Sequence, residues 1–143
     1  MRVGFACGVF DLFHAGHVLM LRECREHCDH LIVAVNRADS FSSVINPNKR
    51  PPVYTLEERT LILSSIRFVD EVVPYGSEEE LLEILGSRSI AVRFLGEDYR
   101  GRPITGESLG IPIHYTNRSH GYSTTAVVAR VLAAGRLVTR ENG

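Results

Sequence analysis

Two histidines three residues apart, His14 and His17, close the stretch GVFDLFHAGH, residues 8–17, which follows a short apolar run, VGFAC, and precedes an amphipathic one, VLMLRECREHC. Two imidazoles on the entry turn of a helix can donate hydrogen bonds to the same phosphate chain. A helix beginning at His17 adds free backbone N–H groups and the positive end of its dipole, both of which attract anions. Gly8 lets the chain turn tightly after the apolar run, and Gly16 lets backbone come close to a ligand. The stretch reads as a phosphate cradle that uses neither the GxxxxGK[ST] of a P-loop nor the GxGxxG of a dinucleotide fold.

A second concentration of reactive types, Cys24, His27, Cys28 and His30 in CREHCDH, has the look of a metal site. Helical spacing argues against it. Positions 17, 21, 24 and 28 share one face, so Cys24 and Cys28 join Leu21 toward the core while His27 points elsewhere. No metal site is expected there. Three cysteines, Cys7 included, without a secretory pattern also argue against a disulfide framework.

The elements that must position the cradle follow from periodicity and punctuation. Strands are predicted at 2–7, 30–36, 69–73, 90–95 and 111–115, and HLIVAVN at 30–36 is apolar enough to be buried on both faces. Helices are predicted at 17–28, at 56–67 behind the capping-box pair Thr55 and Glu58, from Ser77 and Glu80 to Gly86, and at 124–134 behind Ser123. Strands alternating with helices imply crossover units: an α/β, single-domain, Rossmann-like parallel sheet of about five strands with helices on both faces. The domain is expected at 1–135, with a fraying tail at 136–143. Ligands of such sheets bind beyond the carboxyl ends of the strands. The unusual residues fall there: GVFDLFHAGH, Asn36 with the loop carrying Lys49 and Arg50, GEDYRG, and NRSHGYSTT.

The 143 residues suffice for one core, and a net charge of −1 gives no global positive field for nucleic acid, so an anionic ligand must be met by placed residues. No apolar run approaches the ~20 residues of a membrane span, and no signal-peptide layout is seen, so neither a nucleic-acid nor a membrane partner is expected and the reading is cytoplasmic.

GVFDLFHAGH resembles the (T/V)FDxxHxGH signature of the cytidylyltransferase-like nucleotidyltransferases, and NRSHGYSTT resembles their second signature, RTxGxSTT. The resemblance runs over nearly the whole chain, including EERTLILSSIRFVDEVVP, and is closest to the small glycerol-3-phosphate cytidylyltransferases. It implies transfer of CMP from CTP to a small phosphorylated alcohol, such as glycerol 3-phosphate, with release of pyrophosphate. His14 and His17 would contact the triphosphate and stabilise the transition state at the α phosphorus. Arg118, Ser123 and Thr124 would hold the β and γ phosphates. Gly8, Val9, Phe10, Asp11, Gly16 and Tyr122 complete the two nucleotide-binding segments, with Asp11 ordering the histidine turn and Asp98 reading the nucleoside. Arg59 and Arg67 match arginines of the middle segment and are expected toward the acceptor, Arg67 near a dimer interface. Magnesium, bound through the nucleotide phosphates, and a homodimer are implied as well.

The sequence departs from the glycerol-phosphate members in three places. Their lysine-rich loop is VINPNKRPP here, which leaves Lys49 as the catalytic lysine with Arg50 beside it; Tyr99 stands where they carry tryptophan; and RGRPITGESLG is a longer insert that adds Arg100 and Arg102 near the site. These changes bear on the acceptor more than on the chemistry. A phosphate nucleophile is already anionic at neutral pH, so a site rich in His, Arg and Lys with no general base is sufficient. Two alternatives remain open: an adenylyltransferase acting on a sugar phosphate such as heptose 1-phosphate, and a nucleotide-binding regulatory protein without turnover. The histidine pair also resembles the HIGH signature of class I aminoacyl-tRNA synthetases, but those enzymes need extra domains and basic surface for tRNA, which are not expected here.

Overall fold

A computed structural model describes residues 1–38 and 51–142, with side chains as far as 136. In chain order the elements are β1 (Val3–Gly8), α1 (Ala15–Glu26), β2 (His30–Asn36), α2 (Leu56–Ser64), β3 (Glu71–Tyr75), α3 (Glu78–Ser87), β4 (Val92–Gly96), β5 (Ile113–Thr116) and α4 (Thr124–Asn142). The strands form one sheet in the order β3-β2-β1-β4-β5, every pair parallel. The chain leaves β1 toward β2 and β3, then crosses to the other side for β4 and β5. This reversal opens a crevice beyond β1 and β4, where ligands of open α/β sheets bind.

Two apolar layers hold the sheet. One face carries Ala6, Val33 and Phe94 under Leu21 and Cys24 of α1 and Leu63 of α2; the other carries Phe5, Ile32 and Ala34 under Leu81 and Leu85 of α3. Leu31 to Val35 of β2 are sealed on both sides, as an unbroken apolar strand requires. Cys24 and Cys28 lie in the first layer, their thiols turned to Met20 Sδ and to the Cys24 carbonyl, as the helical spacing predicts.

Most boundaries shift by one to three residues from the expectation, and the larger differences have visible causes. Strand β3 begins at Glu71 rather than 69, because Val69 N–H closes a turn onto Ile66 and the Asp70 carboxylate accepts the Leu31 N–H before pairing starts. It runs through Pro74, which an edge strand tolerates because its outer side needs no donor. Helix α4 continues to Asn142, past the Gly135 at which fraying was expected. One glycine costs a helix only about 1 kcal/mol, too little to end one whose neighbours Ala134, Arg136 and Leu137 are all good helix formers. No described helix is long and apolar enough to cross a membrane.

Candidate active site

The histidine turn is a helix cap made of two imidazoles. His14, not His17, caps α1: its extended backbone (φ −139°) leads into Ala15, and its Nδ1 accepts the Gly16 N–H at 3.0 Å. His17 sits at the third helical position, and its Nδ1 accepts the His14 N–H at 3.0 Å. A nitrogen that accepts from backbone carries no proton, so both neutral rings hold theirs on Nε2. The rings lie 4.0 Å apart between centroids, and His14 Nε2 is 3.4 Å from Thr124 Oγ1 at the start of α4. Burial, then the nearby positive His14 and Arg118, push His17 down to about 4, with Asp11 opposing; burial and His120 lower His14 too. Near pH 7 the pair is neutral and presents two N–H donors.

The backbone of this turn is strained and clamped. Phe10 (φ 55°) and Leu12 (φ 48°) are left-handed, a conformation that costs bulky residues on the order of 1 kcal/mol or more each. Gly8 is not the residue that bends; it ends β1, and an added Cβ would meet the Phe10 ring at 3.3 Å. The Phe10 ring is buried in the core, the Asp11 carboxylate accepts the N–H groups of Val53 (2.8 Å) and Tyr54 (2.9 Å), and the Arg59 guanidinium grips the turn from behind. Arg59, only 1% exposed, donates to the carbonyls of Val9 (3.0 Å), Asn36 (2.5 Å), Arg37 (2.9 Å) and Tyr54 (3.1 Å). Its expected place at the acceptor is therefore corrected: it positions the turn. Arg67 is exposed and lies over the Phe68 ring, outside the crevice. Lys49 and Arg50 lie outside the described residues.

Beyond β1 and β4 opens a cavity of about 420 Å³. At one end it is lined by His14, His17, Arg118, Tyr122, Ser123 and Thr124, so the two sequence signatures meet as their spacing implies. Ser123 Oγ accepts the Ala126 N–H at 3.1 Å, and the N-termini of α1 and α4 both abut this end. Arg118 is half exposed and pairs with Asp98 at 3.2 Å. Gly8, Val9, Phe10 and Asp11 do not line the cavity; they build the turn that does. Gly16 lines it, but the space its missing side chain leaves is filled by protein: a Cβ would meet His14 Cε1 at 2.8 Å and Tyr122 Cβ at 2.9 Å.

Among the lining residues that the sequence left unassigned are His120, Cys7 and Arg93. His120 stacks on Tyr122 and accepts its N–H, its type being the only signal. Cys7 and Arg93 line the deeper end and sat unremarked in runs read as plain strand. The insert contributes Pro103, Ile104 and Thr105 to the wall, whereas Arg100 turns away onto Glu97 and the Tyr115 ring. Neutral donors, a cation and two helix N-termini facing one space, with no base-activated nucleophile among them, suit transfer of a phosphate-linked group.

The family model described as Cytidylyltransferase-like matches residues 5–130. The Bifunctional protein HldE of Gluconacetobacter diazotrophicus is 37% identical over 139 residues, 94% of this chain and 28% of that protein. Its counterpart in Granulibacter bethesdensis is 36% identical over 135 residues, 92% of this chain and 27% of that protein. The chain thus spans little more than a quarter of these relatives. Among solved structures, the lipopolysaccharide core biosynthesis protein from Thermoplasma volcanium superposes with a TM-score of 0.61 at 27% identity, covering 80% of this chain and 93% of that one. Thermotoga maritima TmcAL, solved with alpha-thio ATP, shares the fold at a TM-score of 0.51 and 19% identity, over 67% of this chain and 25% of that one.

Proposed function

This chain belongs to the cytidylyltransferase-like family of nucleotidyltransferases, and we propose that within it the chain transfers the adenylyl group of ATP to the phosphate of a sugar phosphate such as heptose 1-phosphate. The observation that carries the transfer is the pair of neutral Nε2–H donors, His14 and His17, fixed by their own caps at the mouth of a cavity that Arg118 and Ser123 also line. The choice of ATP and a sugar phosphate, over the CTP and glycerol 3-phosphate of the sequence resemblance, is supported by the HldE relatives and by the likeness to a lipopolysaccharide core protein. The two signatures are common to both readings and do not separate them.

In this reading an oxygen of the acceptor phosphate attacks the α phosphorus of ATP. The new P–O bond forms as the bond to the oxygen bridging the α and β phosphorus breaks, and pyrophosphate leaves with that oxygen. No proton need be removed from the nucleophile. Charge grows on the α-phosphate oxygens as the phosphorus becomes five-coordinate, and preplaced imidazole donors strengthen their hydrogen bonds then. Arg118 and the start of α4 receive the β and γ phosphates. A magnesium ion on the nucleotide would offset charge on the departing pyrophosphate. Among the described residues no three His, Cys, Asp or Glu side chains could hold a metal ion together, and Asp98 is paired with Arg118. That donor set fits an ion that takes its ligands from phosphates and water.

The test is pyrophosphate release over ATP, CTP, GTP and UTP, each with heptose 1-phosphate and with glycerol 3-phosphate. ATP with the sugar phosphate is expected to lead by at least tenfold. CTP leading with glycerol 3-phosphate would reverse the choice, and nucleotide binding with no pyrophosphate from any pair would make the chain a binding protein.

A further inference from the structure

The deep end of the cavity holds a cation that the mechanism above does not use. Arg93 is 3% exposed, and its Nε has no hydrogen-bond partner. Its Nη1 donates to the Thr105 carbonyl at 2.6 Å. No carboxylate of the described residues forms an ion pair with it: Asp98, the acid among the cavity-lining residues, pairs with Arg118, and Glu78 accepts the Thr105 hydroxyl at 3.2 Å. Gly106, left-handed at φ +79°, presses the insert onto the same group, with its Cβ position 3.5 Å from Arg93 Nη1 and 3.0 Å from Leu85. A guanidinium sealed away from water without an anion carries a desolvation penalty that a protein carboxylate would ordinarily offset. Arg93 is also one of the residues that line the cavity.

Depth says which part of a ligand arrives there. Arg93 is level with Phe5 in the sheet, three residues before the end of β4, or about 10 Å below the edge at the usual strand rise. The histidine turn stands above that edge. An acceptor whose phosphate lies at the histidine turn reaches Arg93 with its opposite end.

We propose that Arg93 is the specificity-determining residue of the acceptor pocket, and that it pairs with a second oxyanion of the acceptor, a carboxylate or phosphate remote from the phosphate that reacts. The inference rests on the sugar-phosphate reading and narrows it to acidic sugar phosphates. A matched series tests it: glucose 1-phosphate, glucuronic acid 1-phosphate and glucose 1,6-bisphosphate differ only in the group at carbon 6.

Calorimetric titration without nucleotide reads binding independently of turnover. The wild-type chain should bind one or both acidic members at least tenfold more tightly than glucose 1-phosphate, and which one identifies the oxyanion. R93M should lose roughly a hundredfold toward that member and little toward glucose 1-phosphate, while R93K recovers part of the loss. ATP affinity should stay within twofold, and the unliganded R93M chain should melt no lower than wild type, since it loses an unpaired buried charge. Equal binding of all three, a preference that survives in R93M, or a loss that falls on ATP would overturn the proposal. Acidic members that bind through Arg93 yet yield no pyrophosphate with ATP would sink the adenylyl-transfer reading and leave this one standing.

Discussion

The turn after β1 and the turn after β5 are both strand-into-helix joints that face the same cavity, yet they are held very differently. The first leaves a central strand, buries Phe10 and Arg59, and is tied to the 53–54 segment through Asp11. The second leaves an edge strand and closes mostly on itself: Asn117 Oδ1 accepts the Ser119 N–H, His120 Nδ1 accepts the Tyr122 N–H, and Glu23 reaches across from α1 to the Asn117 N–H. Arg118 and Tyr122 stand half in solvent. Donors aimed at charge that develops in the transition state must be fixed beforehand. Groups that hold phosphates already charged can settle on them as they arrive.

The largest effect should come from the clamp behind the first turn. Arg59→Ala leaves four carbonyls without their donor and should cost about 4 kcal/mol or more in urea unfolding, with turnover lost as well. A loss under about 1 kcal/mol would mean the strained turn supports itself. Next comes His17→Ala, expected to lower kcat by about 10²- to 10³-fold, roughly 3 to 4 kcal/mol, with a smaller change in nucleotide affinity. If only KM rose, the two turns would be doing the same work.

Acid should separate the turns as well. His17 takes a proton below 6.5 when unfolded and only near 4 when folded, so the unfolded chain binds more protons in that window and stability falls as pH drops from 6.5 to 4. The loss is up to about 3 kcal/mol, present in wild type and smaller in His17→Gln when both are unfolded in denaturant across this range. The same slope in both proteins would assign the acid sensitivity elsewhere. The smallest effect belongs to the second turn: Arg118→Ala should raise KM for the nucleotide roughly tenfold, yet change stability by no more than about 0.5 kcal/mol, because its partner Asp98 is equally exposed.

What the sequence made legible follows the same division. The unbroken apolar run of β2 and the Thr55–Glu58 capping box each appear where their patterns put them, because both are local devices. The meeting of His14 with Thr124 was legible through two signatures at strand ends. The cap at His14 was not, since imidazole is outside the usual capping residues, and the helix start was placed at His17. Left-handed Phe10 and Leu12 leave no trace in composition, because tertiary packing and Arg59 impose them. Arg59 itself read as a middle-segment arginine bound for the acceptor, and only contacts from segments 22 to 50 residues away reveal otherwise. Arg93 lay hidden in AVRFL because the segment that roofs it comes twelve residues later.

The Arg59 clamp also couples the two ends of the connection between β2 and α2. One guanidinium holds Asn36 and Arg37 on one side and Tyr54 on the other, so it fastens both mouths of that connection to each other. The histidine turn hangs on the same side chain through the Val9 carbonyl, so the turn and both ends share one anchor. A displacement at either end is therefore passed through a single guanidinium to the strand–helix joint that carries His14 and His17.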